Sequence, residues 1–251
     1  MAELPVEPLS RRDRVRADTV REIKTTARRV LVAKGVDGLA LRAVAREMRM
    51  TAPGLYRYFA SREDLVEHVV ADLYDELTDA LETVRDAADP ATPGRQLLTV
   101  AREFRRWATS HHAEFGLLFG SVADRVVPPE DVHGPGERPP QVASRRFGGV
   151  FAELVARIYL EQGFPVPDEA EIDPGLQVQL TEWCATLPVA LPVGVMHVFL
   201  SCWIRLYGMV CMEVFGHLRF ALNDAEPMFE ADLRALGDTL GIAEEYRPPA
   251  A

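Results

Sequence analysis

The chain has 251 residues, enough for one large domain or two modest ones with a sizeable core. Hydrophobic residues are 48% and charged residues 26%, which is too apolar for global disorder. The net charge of −10, taken whole, argues against nucleic acid as a partner. The charge is uneven, however. Residues 1–64 hold 14 Lys+Arg and 9 Asp+Glu, a net of +5, and the remainder nets −15. A short basic head on a long acidic body differs from a uniformly acidic protein.

Three cysteines, Cys184, Cys202 and Cys211, form no CxxC or Cys/His cluster. No disulfide framework, metal site or cofactor is expected, and a reducing, cytoplasmic setting fits best. The start, MAELPVEPLSRRDRVR, lacks the apolar core of a signal peptide. Trp183 to Ile204 is a run of 22 residues without Asp, Glu, Lys or Arg. Pro188, Pro192 and His197 interrupt it, so it reads as a buried helix rather than a membrane span.

In chain order, almost every periodic segment has a helical period. Residues 1–14 read as a flexible basic arm, with Arg11, Arg12, Arg14 and Arg16 placed to reach a phosphate or an adjacent groove. Ile23, Ala27, Val30 and Leu31 mark a first helix over about 16–34, stopped at Gly35. Leu41, Val44, Ala45 and Met48 mark a second helix of about two turns. Thr51 is an N-cap candidate and Pro53 suits the first turn of a very short third helix, which runs to about Phe59. Ser61 and Asp64 open a long fourth helix to about Ala88, striped by Val66, Val70, Leu73, Leu77, Leu81 and Val84.

Further helices are expected over about 93–109, capped by Thr92, and then over 112–122, 142–163, 174–187, 193–217 and 225–240. Residues 126–140, with five prolines, read as a loop. No period-2 alternation supports a strand pair. The fold class is all-α: a three-helix helix-turn-helix head and a larger helical bundle, about nine to ten helices in all. The expected boundaries are 1–14, 15–62 and 63–251.

On a helical wheel Leu55 and Phe59 fall together and should pack inward. Thr51, Gly54, Tyr56, Arg57 and Tyr58 then form an exposed face. It offers hydroxyls and a guanidinium and carries no carboxylate, which suits phosphates and base edges. Arg42 and Arg62 flank it.

The stretch from Leu41 to Val66, LRAVAREMRMTAPGLYRYFASREDLV, resembles the TetR family of transcriptional regulators. Its run T-x-P-G-L-Y-R-Y-F followed by S-R-E-D-L carries most of the likeness. A weaker likeness, W-x-R-x-x-G-x-x-x-x-E-x-x-G-H from Trp203 to His217, matches a late helix in many members. The resemblance implies DNA contacts at Arg42, Thr51, Ala52, Pro53, Gly54, Tyr56, Arg57, Tyr58 and Arg62. The chain departs from the family in two places. Ala40 stands where a capping Ser or Thr is usual, and Arg49 stands where Gly is usual in the turn. Arg49 must adopt a strained backbone or alter the turn.

The resemblance also implies that the acidic body binds a ligand and dimerises. Its large residues suit an apolar pocket: Trp107, His111, Phe115, Phe119, Phe151, Trp183, His197, Trp203 and Tyr207. Arg205 lies in an apolar run and needs a partner, for which Glu182 and Glu213 are candidates. Helices 193–217 and 225–240 are the dimer candidates, with Gly208 and Gly216 allowing close approach.

The leading reading is a repressor that binds a palindromic DNA operator as a homodimer and is released by a small, mainly apolar effector. No catalytic constellation is visible, so no enzyme activity is expected. The alternatives are a small-molecule-binding protein or enzyme with a vestigial helix-turn-helix, and a DNA architectural protein without a ligand.

Overall fold

The computed structural model describes residues 10–35, 38–120, 138–185 and 190–248. Ten α-helices and no strand occur among them. They are α1 (Arg11–Lys34), α2 (Leu41–Glu47), α3 (Ala52–Leu55), α4 (Arg62–Ala87), α5 (Pro93–Ser110), α6 (His112–Phe119), α7 (Pro139–Gln162), α8 (Pro174–Cys184), α9 (Val193–Val214) and α10 (Glu226–Thr239). The helical periods read from the sequence thus find their helices.

Several expectations need correction. The basic residues Arg11, Arg12, Arg14 and Arg16 stand on α1 rather than on a flexible arm. Ser10 caps that helix by accepting from the Asp13 N–H at 3.2 Å, and its hydroxyl donates to the Asp13 carboxylate at 2.6 Å. This S-x-x-D pattern marks the true start. Pro139 and Pro140, assigned to a loop, open α7, where a missing N–H costs little. The rest of that loop, through residue 137, lies outside the described residues, as does Pro188. Thr92 precedes α5 but makes no side-chain cap, because its hydroxyl donates back to the Asp89 carbonyl at 3.0 Å.

The chain forms two compact units, which divide it differently from the expected boundaries. The first comprises residues up to Tyr74 and Ala113–Ser144. Its core joins Ile23, Ala27 and Leu31 of α1, Val44 and Ala45 of α2, Leu55 and Phe59, and Leu65, Val69 and Val70 of α4. Segment 113–119 belongs here through specific bonds. Arg28 pairs with Glu114 at 3.1 Å, and the Tyr74 hydroxyl donates to the Leu118 carbonyl at 3.3 Å. Burial pushes the Tyr74 phenol up to about 12.

The second unit comprises Asp75–His112 and Arg145–Ala251. Within it α5 packs on α9 and α10, and α9 also packs on α8. Two bidentate pairs fasten α5: Arg102 on Glu230 at 2.8 and 2.7 Å, and Arg105 on Glu213 at 2.8 and 2.7 Å. Among the described residues one helix, α9, is long and apolar enough to cross a membrane by length and composition. Val195, Val198, Phe199, Cys202, Leu206 and Val210 of that helix are buried inside this unit.

The turn after α2 resolves the Arg49 question. The Met50 N–H donates to the Ala45 carbonyl at 2.8 Å and the Arg49 N–H to the Arg46 carbonyl at 3.1 Å. This is the bond pattern of a Schellman stop, with Arg49 in its left-handed position at φ 56°. It is the single non-glycine residue with positive φ among those described. The turn therefore keeps the geometry that glycine favours and bears the strain of a side chain. Arg49→Gly is expected to stabilise the fold by about 1 kcal/mol. Urea unfolding of the two proteins checks this, and a lower midpoint for the glycine variant would count against it.

Candidate functional site

The reading surface is built from the turn after α2, from α3 and from the start of α4. The four-residue α3 has Thr51 as its cap, accepting from the Gly54 N–H at 3.2 Å. Leu55 and Phe59 are fully buried, as the wheel requires. That anchoring turns Thr51, Pro53, Tyr56 and Arg57 to solvent, with Ala52, Gly54 and Tyr58 half-exposed. A Cβ on Gly54 would meet Thr51 Oγ1 at 3.2 Å, a tight contact with the capping hydroxyl. Ala40 supplies no side-chain bond to α2, so the hydroxyl usual at that position is absent.

The start of α4 is held by Ser61 and Asp64. The Asp64 N–H donates to Ser61 Oγ at 3.0 Å, and the Ala60 N–H donates to the Asp64 carboxylate at 2.7 Å. His68 packs edge-on against Phe59 at 5.4 Å and touches Asp64 at 3.1 Å, tying the end of the turn to α4.

Arg16 is a site residue placed by the structure. Its guanidinium lies 5.0 Å from the centre of the Tyr58 ring and donates to the Arg57 carbonyl at 3.5 Å. It braces the last turn before α4 from α1. The sequence grouped Arg16 with the basic residues of the arm although it falls at the expected start of the first helix; the Ser10/Asp13 cap carries that helix back to Arg11.

The positive charge of this unit is selectively available. Lys24 pairs with Asp72 at 2.6 Å, Arg29 with Glu47 at 2.6 Å and Arg21 with Asp18 at 3.0 Å. Arg62 is half-buried and holds Glu63 at 3.0 Å. A backbone hydrogen bond at Glu63, then Arg62, keeps that carboxyl below the usual range. Arg42, Arg46, Arg49 and Arg57 are exposed and join no ion pair among the described residues. Unpaired, exposed guanidiniums are the kind of group that can replace counterions on a phosphate backbone.

The described ring contacts place the nine residues read as a ligand set in several sets. Phe151, Trp203 and Tyr207 stand together in the second unit with Phe104 and Phe147. Trp203 lies 5.1 Å from Phe151 and stacks on Tyr207 at 5.8 Å. Trp107 stacks on His111 at 4.7 Å, and the buried Trp107 Nε1–H has no acceptor among the described residues. Trp183 meets Phe199 at 5.7 Å. His197 is half-buried on α9. Phe115 and Phe119 contact each other at 4.8 Å in the first unit. Beside Phe151 and Trp203 the interior holds a cavity of about 40 Å³, lined almost wholly by apolar residues.

Arg205 pairs with Asp232, not with Glu182 or Glu213. Glu213 is taken by Arg105, and Asp232 on α10 comes to Arg205 by packing that the sequence does not display. Burial pushes the Cys202 thiol up to about 11, so it is no ready nucleophile. No group of His, Cys, Asp and Glu suited to a metal occurs among the described residues.

Comparison with known proteins agrees with this geometry. Residues 23–69 match the model for bacterial regulatory proteins of the tetR family, and residues 97–236 match the tetracyclin repressor-like C-terminal domain. The HTH-type transcriptional regulators Rv1816 of Mycobacterium tuberculosis and Mb1846 of Mycobacterium bovis are each 29% identical over 229 residues, covering 86% of this chain and 89% of theirs. Among solved structures, SCO4313 superposes with a TM-score of 0.69 at 25% identity, covering 90% of this chain and 98% of that one. RolR, solved with its ligand resorcinol, has a TM-score of 0.54 at 16% identity, covering 95% and 100%. With both parts of the chain matched, and a helix-turn-helix that exposes Thr51, Tyr56 and Arg57, this protein belongs to the TetR family of transcriptional regulators.

Proposed function

We propose that the protein is a homodimeric repressor that binds a palindromic operator and leaves it when a small, mainly apolar effector binds. The observation that carries the DNA half is the solvent-facing set Thr51, Tyr56 and Arg57, with Arg42, Arg46 and Arg49, which join no ion pair among the described residues, on the adjoining helix and turn. The contact set is Arg42, Thr51, Ala52, Pro53, Gly54, Tyr56, Arg57, Tyr58 and Arg62. Arg57 and the hydroxyls of Thr51 and Tyr56 suit phosphates and base edges, and Ala52 offers a methyl to a thymine. Arg62 contributes less than Arg57, because Glu63 neutralises it.

Dimerisation through α9 is supported by its outer face. Ile204, Gly208, Cys211, Met212 and Phe215 recur on one stripe, and Ile204 is 60% exposed. A Cβ on Gly208 would meet nothing within 4 Å, so the stripe is flat enough for another helix to approach closely. Gly216 has a different task. At φ 72° it ends α9 in a left-handed stop. Phe220 and Met228 extend the exposed apolar area toward α10. Two copies joined there would present two heads to two half-sites.

The effector reading rests on the aromatic-rich second unit and on a fold that holds resorcinol in RolR. α4 contributes residues to both units and is the covalent route by which ligand binding would bias the heads. A cytoplasmic setting follows from this role.

Operator fragments selected from genomic DNA test the head. Arg57→Ala and Tyr56→Ala are each expected to weaken binding at least tenfold, about 1.4 kcal/mol or more, with circular dichroism and dimer mass unchanged. Equal affinity for variant and parent would refute the assignment. For the dimer, the double variant Ile204→Glu and Phe215→Glu is expected to elute as a folded monomer at micromolar concentration in light-scattering chromatography. A persistent dimer would place the interface elsewhere.

A further inference from the structure

The first two turns of α1, from Arg11 to Asp18, are exposed throughout, and the first residue of the helix to be buried is Ile23. α1 therefore runs on past the core that holds the rest of it. Ser10 and Asp13 keep this extension helical by capping its start. Arg16 ties it to the rest of the unit. It donates to the Arg57 carbonyl at 3.5 Å and lies over the Tyr58 ring at 5.0 Å. The extension thus meets the chain at the turn from which Arg57 faces solvent.

The helical period decides which side chains share that side of α1. Arg12, Arg16 and Ile23 fall within about 40° of one another at about 100° per residue. Ile23 is fully buried in the unit, so Arg12 stands on the same side, one turn or about 6 Å beyond Arg16. Helical side chains lean toward the N-terminus, which carries Arg12 outward past the turn at Arg57. Arg14 falls about 160° from both Arg12 and Arg16, on the opposite side.

Residues 11–18 hold four arginines and two aspartates, a net of +2. Both aspartates are engaged locally. Asp13 receives the Ser10 hydroxyl at 2.6 Å, and Asp18 holds Arg21 at 3.0 Å. Each falls about 100° or more from Arg12 around the helix. Arg12 is exposed and joins no ion pair among the described residues. It continues a surface that already exposes Thr51, Tyr56 and Arg57. A partner that meets Arg57 and runs on to a guanidinium beyond it must be anionic and extended. The phosphate backbone of duplex DNA has that form.

We propose that this extension is a second DNA-contacting element, in which Arg12 holds a backbone phosphate beside those met from α3. The proposal rests on the DNA-binding reading above and adds to its contact set a residue outside the helix-turn-helix. A phosphate contact carries no base information, so Arg12 contributes affinity and register rather than sequence choice. The turn is capped and braced in the free protein, which keeps the ordering cost of the contact low.

Fluorescence anisotropy of the full chain on a labelled, genomically selected fragment, repeated from about 50 to 200 mM salt, tests this. Arg12→Ala is expected to weaken binding several-fold and to reduce the salt slope by about 1. The loss is expected to be equal on fragments with altered half-site bases. Arg12→Lys keeps the charge and is expected to keep the slope. Arg14→Ala, on the opposite side, is expected to match the parent. Circular dichroism is expected to be unchanged in all three, since each replaced side chain is exposed. An unchanged slope in Arg12→Ala, or a lost slope in Arg12→Lys, overturns the proposal. An equal loss in Arg14→Ala also overturns it, because the effect would then be one of net charge and not of a placed contact. Binding that Arg57→Ala abolishes and Arg12→Ala leaves intact refutes the extension alone. Failure of the parent to bind any selected fragment refutes the DNA-binding reading instead.

Discussion

The burial of Leu55 and Phe59 is the constraint on which the reading surface depends. α3 is four residues long, too short to be stable or oriented by its own hydrogen bonds. Its orientation comes from the two side chains sunk among α1, α2 and α4, each worth about 1.5–3 kcal/mol of burial. Once they are fixed, the period of the helix leaves Thr51, Tyr56 and Arg57 no direction but outward. Arg16 from α1 and His68 from α4 brace the same turn from two sides. The surface is therefore formed before DNA arrives, which reduces the ordering cost of binding.

Charge partition gives the surface its selectivity. The whole chain is acidic, yet Arg42, Arg46, Arg49 and Arg57 join no ion pair among the described residues, while Lys24, Arg29 and Arg62 do. Unpaired positive charge is thereby left on and around α2 and α3. In the second unit the arginines are spent on structure, with Arg102 and Arg105 fastening α5 to α10 and α9. What remains there is a surplus of carboxylates, which repels DNA and leaves the head as the docking surface.

Much of this was legible in the sequence, for local reasons. The buried face of α3 follows from helical period alone, and the strain at Arg49 follows from a non-glycine side chain at a helix stop. The limits of α4 and α5 follow from Ser61, Pro90 and Pro93. Features set by tertiary packing were not legible. Asp232 reaches Arg205 from the next helix, while Glu182 and Glu213, nearer at hand by composition, do not. An open groove of about 460 Å³ in the second unit is made by segments of α4, α7 and α9 far apart in sequence, and its small residues Gly149, Ala152 and Ala156 carry no chemical signal of their own. Aromatic content instead drew attention to Trp107, Phe115 and Phe151, whose described ring contacts are with His111, with Phe119, and with Trp203, Phe104 and Phe147. The start of α1 was legible but missed, because arginines outweighed the Ser10/Asp13 cap.

The central claim is that two copies of this head read DNA together through the face that Leu55 and Phe59 orient. Hydroxyl-radical footprinting of the full-length protein on a genomically selected fragment tests it most directly. The account predicts two symmetric protected half-sites about one helical turn apart, or a whole multiple of that spacing. Protection that is uniform along the fragment, or confined to a single half-site, would contradict it.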